Sequence, residues 1–271
     1  MQKVWPKLPD MVKTADEITL MRISGRLLGS VFEMLDTIDL CGMSTMQIND
    51  LVERFITEDL AARPASKGQY GFAYVLNCSI NDVVCHGVPS EDEIVRDGDI
   101  INLDITLEKN GFIADSSKTY VVGNAPAPAK RLVQIAEGAM WAGIRKVRPG
   151  AHLGDVGYAI EKHARKHGCS VVREYCGHGI GREMHEDPQV LNFGRPGRGL
   201  RLREGMTFTV EPMVNLGSRQ TVTRDDGWTV ATRDGKLSAQ FEHTVAVTES
   251  GVEVLTLREG ERNRAEYYPT G

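Results

Sequence analysis

Apolar positions at Ile18, Met21, Ile23, Leu27, Leu28, Val31, Phe32 and Leu35 recur with a roughly helical period. Thr14 followed by Glu17 is a capping-box signature just ahead of them, so a helix is expected from about Thr14 to Leu35. A second helix is expected from Ser44 or Thr45 to about Ala61. Strand-like runs follow at Gly71–Leu76, Val83–His86, Ile100–Leu107 and Gly111–Val122. The stretch "APAPA" (Ala125–Ala129) interrupts the pattern. Beyond it, helices are expected near Arg131–Val147 and Leu153–His167, and then strands again. The chain reads as an extended arm (residues 1–13), one domain (14–257) and a tail (258–271).

The two stretches of helices followed by strands look related. "VRDGDIINLDI" (Val95–Ile105) resembles "LREGMTFTVEP" (Leu202–Pro212): Arg, acid and Gly precede a carboxylate at Asp104 or Glu211. "VCHGVP" (Val84–Pro89) likewise echoes "CGHGIG" (Cys176–Gly181). Two matches in one order point to a duplication with halves at about 14–124 and 127–250. Neither half could close a sheet core alone, so a single domain with a pseudo-twofold axis is expected.

The run "NLDITLEKNGFIADSS" (Asn102–Ser117) places an acid in each arm of a hairpin. Asn110-Gly111 is a strong two-residue type I′ turn signal. That turn pairs Lys109 with Phe112, Leu107 with Ala114 and Asp104 with Ser117. Asp115 then lies on the same face as Asp104, with Cβ atoms ~7–8 Å apart or less. Carboxylates converging from there can reach a pair of cations ~3.5–4 Å apart. Ile101, Leu103, Ile105 and Leu107 point to the other, apolar face. A solvated sheet face would explain two acids equally well. "TFTVEPMVN" puts Glu211 in a third apolar run, however, and "SAQFEHTVAV" puts Glu242 in a fourth. Four such carboxylates would repel one another strongly, and two divalent cations would neutralise them.

Composition narrows the classes. The 271 residues carry 41% hydrophobic and 25% charged positions, ordinary for a globular protein. A net charge of −5 argues against a nucleic-acid binder that works by overall charge. Five widely spaced cysteines without a CxxC fit a reduced, cytosolic protein. No signal-peptide h-region or membrane-length apolar run is seen.

Seven histidines can be sorted. His163 and His167 stand at a helix end, where the dipole favours them, and are expected at the surface. His152 is expected as a cap or exposed. His243 follows Glu242 directly and faces the other way, as a satisfied core residue or a support to the site. That leaves His86, His178 and His185. Of these His178, in the Gly-rich "YCGHGIGREMHEDP", is the candidate ligand.

The motifs "NDVVCHGVP", "LDITLEKNGFIADSS", "CGHGIGREMHEDP", "TFTVEPMVN" and "GWTVATRDGKLSAQFEHTVAV" together resemble the methionine aminopeptidases of the bacterial-type short form, from about Thr14 to Leu257. The resemblance implies the α+β pita-bread fold: a central, curved antiparallel sheet with helices on its outer face. It makes Asp104, Asp115, His178, Glu211 and Glu242 the ligands of a two-metal site. Asp115 and Glu242 would bridge, His178 and Glu211 would complete one metal, and Asp104 the other. One nitrogen among carboxylates suits Co, Mn, Fe, Zn or Ni without choosing between them. A water between two such ions is acidified and would attack the peptide bond after an N-terminal Met. In this scheme Glu211 is general base, His185 donates to the carbonyl oxygen and His86 bonds the scissile amide.

Phe72, Asn77, Met184 and Trp228 fall at the pocket for the first side chain. Gln69 stands where family members usually have Tyr, Asn77 where Cys or Thr is common, and Met184 where Phe is frequent. An active enzyme with changed efficiency or a relaxed first-residue preference is therefore expected. The implied substrates are nascent polypeptide N-termini, the setting cytoplasmic and the enzyme a monomer. With Gln2 in second place the chain should keep its own Met1. Arg195, Arg198, Arg201 and Arg203 crowd one segment, readable as a solvated loop or as a contact with ribosomal RNA. The rival readings are a related Xaa-Pro aminopeptidase or dipeptidase, and a non-catalytic module that kept the fold.

Overall fold

A computed structural model of the chain describes residues 11–262. Most of the expected arm (1–10) and the end of the tail (263–271) lie outside the described residues, as do Met1 and Gln2. Helix α1 (Ala15–Leu35) opens with the full capping box, Thr14 Oγ1 accepting from Glu17 N and Glu17 Oε2 accepting from Thr14 N. Helix α2 (Thr45–Arg54) opens the same way on Ser44 and Gln47. It ends earlier than its periodicity predicts and passes into a single π-helical turn, Phe55–Asp59. Helix α3 (Ala127–Ile144) begins inside "APAPA". Its first turn needs no backbone donors, so proline is tolerated there, and the interruption read from the sequence is a helix start. Helix α4 (Leu153–Lys166) has His152 at its N-cap, whose N–H donates to the Asp155 carboxylate at 2.8 Å.

Among the described residues nine strands build the central sheet: β1 (Arg63–Pro64), β2 (Leu76–Ile80), β3 (Ile100–Lys109), β4 (Phe112–Val121), β5 (Gly177–Gly179), β6 (Glu186–Val190), β7 (Thr207–Val210), β8 (Glu242–Val247) and β9 (Val252–Val254). They run in the order β1-β3-β4-β8-β7-β5-β6, with β2 also on β3 and β9 also on β8. All of these pairings are antiparallel. The strand expected at Gly71–Leu76 instead starts at Leu76. Gly68, Tyr70 and Gly71 all have left-handed φ (90°, 50° and 89°), so the chain turns there before it can extend.

The helices pack on one face of the sheet in two groups. Leu28, Val31, Phe32, Ile48 and Val52 of α1 and α2 meet Leu76, Ile101, Leu103, Ile105 and Leu107. Met140, Trp141, Ile144 and Ile160 of α3 and α4 meet Phe208, Val210, Phe241 and Val245. Each large side chain so buried contributes roughly 1.5–3 kcal/mol. The core thus has two centres, one under each half, and the hairpin of the first half meets the second half at the β4–β8 seam. The C-terminal segment belongs to this core. Arg258 is 3% and Glu261 8% exposed, so the tail drawn from residue 258 starts inside the packed structure. Gly25 of α1 lies so close to the Leu255 carbonyl that a Cβ there could not fit.

Candidate active site

Asn110 and Gly111 adopt left-handed φ of 55° and 79°, as a type I′ turn requires. The ladder that follows pairs Asp104 with Ser117, Leu107 with Ala114 and Lys109 with Phe112, the register derived from the turn. Asp104 and Asp115 therefore share a face, and both line a cavity of about 530 Å³. From the other half, Glu242 opens β8 opposite Ser117, and Glu211 follows the end of β7. Both line the same cavity.

His178 comes from β5. Its Nε2 lies 3.5 Å from Glu211 Oε1 and 3.7 Å from Asp115 Oδ2. Its Nδ1 lies 3.0 Å from the Gly179 carbonyl oxygen. A carbonyl only accepts, so Nδ1 carries the proton and Nε2 turns a lone pair toward the carboxylates. That is how a metal-binding imidazole is fixed. Thr209 Oγ1 donates to Glu211 Oε1 at 2.7 Å and orients it.

The electrostatics are costly without a cation. Among the described residues no Lys or Arg lines the cavity. Burial raises Asp104 to about 6, with the Asn77 amide opposing the rise. Burial, with Asp104 adding repulsion, raises Glu211 to about 8. Asp115 and Glu242 are driven well above the carboxylate range by burial and by the neighbouring acids. Asp115 Oδ1 and Glu242 Oε1 are buried with no hydrogen-bond partner among the described residues. One ligand atom each from Asp115, His178 and Glu242 lies within 4.8 Å of the others. Orphaned carboxylate oxygens beside an oriented imidazole fit a divalent cation.

The remaining expected residues line the same cavity: His86, His185, Phe72, Asn77, Met184 and Trp228. His86 sits at left-handed φ (56°), edge-on to Tyr175. Burial, then His185, lowers its pKa, and burial lowers that of His185. Both imidazoles therefore favour the neutral form. The His185 and His178 rings lie 4.4 Å apart between centroids. Phe72 leans on Trp228 at 5.2 Å, and Met184 is buried among Ile113, Ile180 and Ala246. The Asn77 amide is engaged with Asp104 Oδ2 at 3.3 Å.

Among the residues the sequence reading left unremarked are Thr209, which orients Glu211, and Tyr70, an exposed aromatic whose Oη lies 3.3 Å from His185 Nδ1. An aromatic between two turn glycines was the available signal. The decoys stay away from the cavity. His243 is fully buried and lies 2.9 Å from Thr256 Oγ1 through Nδ1, and His152 caps α4. His163 and His167 are half-buried, not fully at the surface, because His163 packs over Gly138 of α3. All five cysteines are free. No helix among the described residues is long and apolar enough to cross a membrane.

Known proteins resemble this chain along most of its length. Residues 19–249 match the model of metallopeptidase family M24. The methionine aminopeptidase of Escherichia coli K12 is 44% identical over 247 residues, covering 91% of this chain and 94% of that protein. The crystal structure of methionine aminopeptidase from Rickettsia prowazekii superposes with a TM-score of 0.88 at 47% identity, over 91% of this chain and 99% of that one. A Pyrococcus horikoshii dipeptidase structure superposes at 0.72 with 26% identity, over 93% of this chain but 63% of that one.

Proposed function

The chain belongs to metallopeptidase family M24, and on that footing we propose that it removes the N-terminal methionine from peptides and nascent proteins whose second residue is small. The observation that carries the reading is the set of two buried acids, Asp115 and Glu242, two half-buried ones, Asp104 and Glu211, and one oriented imidazole in a single cavity. Asp115, Glu242, Glu211 and His178 would hold one cation. Asp115, Glu242 and Asp104 would hold the second. Bound divalent cations supply Lewis acidity and make water acidic near neutral pH.

The chain's own residues do the rest. Glu211 accepts a proton from the attacking water and passes it to the departing amine, with Thr209 fixing its carboxylate. His185 donates to the peptide carbonyl as charge develops there. His86 bonds the scissile amide. The free amine docks on the Asp104 side, which restricts action to N-termini. Phe72, Trp228 and Met184 enclose the first side chain. Asn77 and Met184 alter that pocket, so the preference for Met is relaxed.

The exposed Arg195, Arg198, Arg201 and Arg203 bring the enzyme to ribosomal phosphate in the cytoplasm, where it works as a monomer. Ribosome pelleting checks this: Ala variants should bind less, with a shallower salt slope, and unchanged, salt-insensitive binding would refute it. The main test is hydrolysis of Met-Ala-Ser, Leu-Ala-Ser and an Xaa-Pro dipeptide by chelated and metal-restored protein. Metal-dependent cleavage of the Met peptide, with measurable cleavage of the Leu peptide, is expected. Cleavage of only the Xaa-Pro peptide would favour the dipeptidase reading. Strict Met preference would remove the claim about Asn77 and Met184.

A further inference from the structure

Asp115 and Glu242 come from different halves of the chain and meet across the β4–β8 seam, which is short. Its ladder pairs only Glu242 with Ser117 and His243 with Ser116. Side chains supply the bonds that the ladder lacks. Ser116 Oγ donates to the Glu242 carbonyl at 2.7 Å. Thr244 Oγ1 accepts from Asp115 N at 3.1 Å and donates to Asp115 O at 2.8 Å.

Behind the seam, away from the cavity, sits Arg258. Its Nη2 lies 2.8 Å from both Ser116 Oγ and Ser117 O, and 3.5 Å from Glu242 O. Its Nη1 donates to Glu261 Oε1 at 3.0 Å, and its guanidinium covers the Phe32 ring at 4.4 Å. Glu261 Oε2 accepts from Arg258 N at 3.0 Å and lies 3.2 Å from His243 Nε2. Burial pushes Glu261 up, but His243 and Arg258 outweigh it and hold the carboxyl well below its usual range. Arg258 is therefore neutralised in place and does not compete for the acids of the cavity.

We propose that Arg258, braced by Glu261, is a positioning residue for the metal centre: its fork fixes the rung that carries Ser117 and Glu242, and so sets how closely the Asp115 and Glu242 carboxylates converge on a cation. This rests on reading the cavity as a metal site. Arg258 touches neither substrate nor metal and acts through backbone carbonyls. The guanidinium suits the task because one planar group bonds both strands and the brace at once, which an ammonium cannot do.

The test is Arg258→Lys, which keeps the charge and loses the fork. Metal-free wild type and variant are titrated with Mn²⁺ by calorimetry, and the unfolding of each is followed with and without the ion. The variant should bind Mn²⁺ about 10- to 100-fold more weakly, the usual cost of removing an outer support, while the metal-free proteins unfold within a few degrees of each other. Wild-type affinity in a folded Arg258→Lys protein would overturn the proposal. If that variant does not fold, Ser116→Ala decides: weaker Mn²⁺ binding supports the seam as the determinant, and unchanged binding overturns it. Wild-type protein that binds no Mn²⁺ would instead sink the metal reading itself, and this inference with it.

Discussion

Chelating the metal should make the protein unstable toward alkaline pH, and Glu211 sets a lower bound on the amount. Burial and Asp104 raise its pKa from 4.5 to about 8, so the folded, metal-free state holds a proton that the unfolded chain has released. The sign follows: a carboxylate raised on folding costs nothing well below pH 4.5, and its penalty grows until pH passes about 8. The histidines work the other way. His86, His178 and His185 are lowered by burial, and their cost fades as pH rises past their ordinary value of 6.5. A window from pH 7.5 to 8.5, where an unfolded imidazole is already almost fully neutral, therefore isolates the acids. There the Glu211 penalty rises by roughly 1 kcal/mol, and Asp115 and Glu242, driven well above the carboxylate range, add to the loss. Asp104, raised to about 6, adds almost nothing, because it is already ionised at the lower end. For a domain of this size ~1 kcal/mol is about 2–4 °C in Tm. Calorimetric scans of chelated protein at pH 7.5, 8.0 and 8.5 would show a fall of at least that much. The Glu211→Gln protein should show a smaller fall, since Asp115 and Glu242 still resist ionisation, and metal-loaded protein should lose the slope because the cation replaces the proton. A flat or rising Tm in the chelated wild type would refute the electrostatic account of the cavity.

Other outcomes follow from single groups. Asp115→Asn should abolish binding of two metals, whereas Asp104→Asn should keep one; equal metal content by elemental analysis would contradict the assignment of Asp115 as the bridge. His185→Ala should lower kcat by about 10²–10³, the usual cost of removing a donor to developing charge, with little change in metal content. Trp141→Ala removes a fully buried ring from the second-half core and should cost about 3–5 kcal/mol in denaturant unfolding.

What the sequence disclosed and what it hid divide along one physical line. The hairpin was legible because a left-handed Asn-Gly pair fixes register locally, and register fixes which face each acid takes. The helices were legible from caps and period, and "APAPA" misled because proline marks a helix start as readily as an interruption. The Gly71–Leu76 run looked like a strand by its apolar content. Three left-handed residues bend it, and they leave Tyr70 beside His185. Nothing local announces Arg258 and Glu261, since an Arg and two acids near a C-terminus read as solvated. Their burial depends on carbonyls from residues 117 and 242, groups that meet only once the halves have closed. The same holds for the site as a whole. Each carboxylate is a poor strand residue when taken alone, with an energetic penalty that only its partners remove. Such residues are visible in a sequence as violations of pattern, while the contacts that justify them are not. The seam where Asp115 meets Glu242 is thus the point at which the folding of the two halves and the assembly of the metal centre become one event. A variant that loosens that seam should lose metal before it loses its fold.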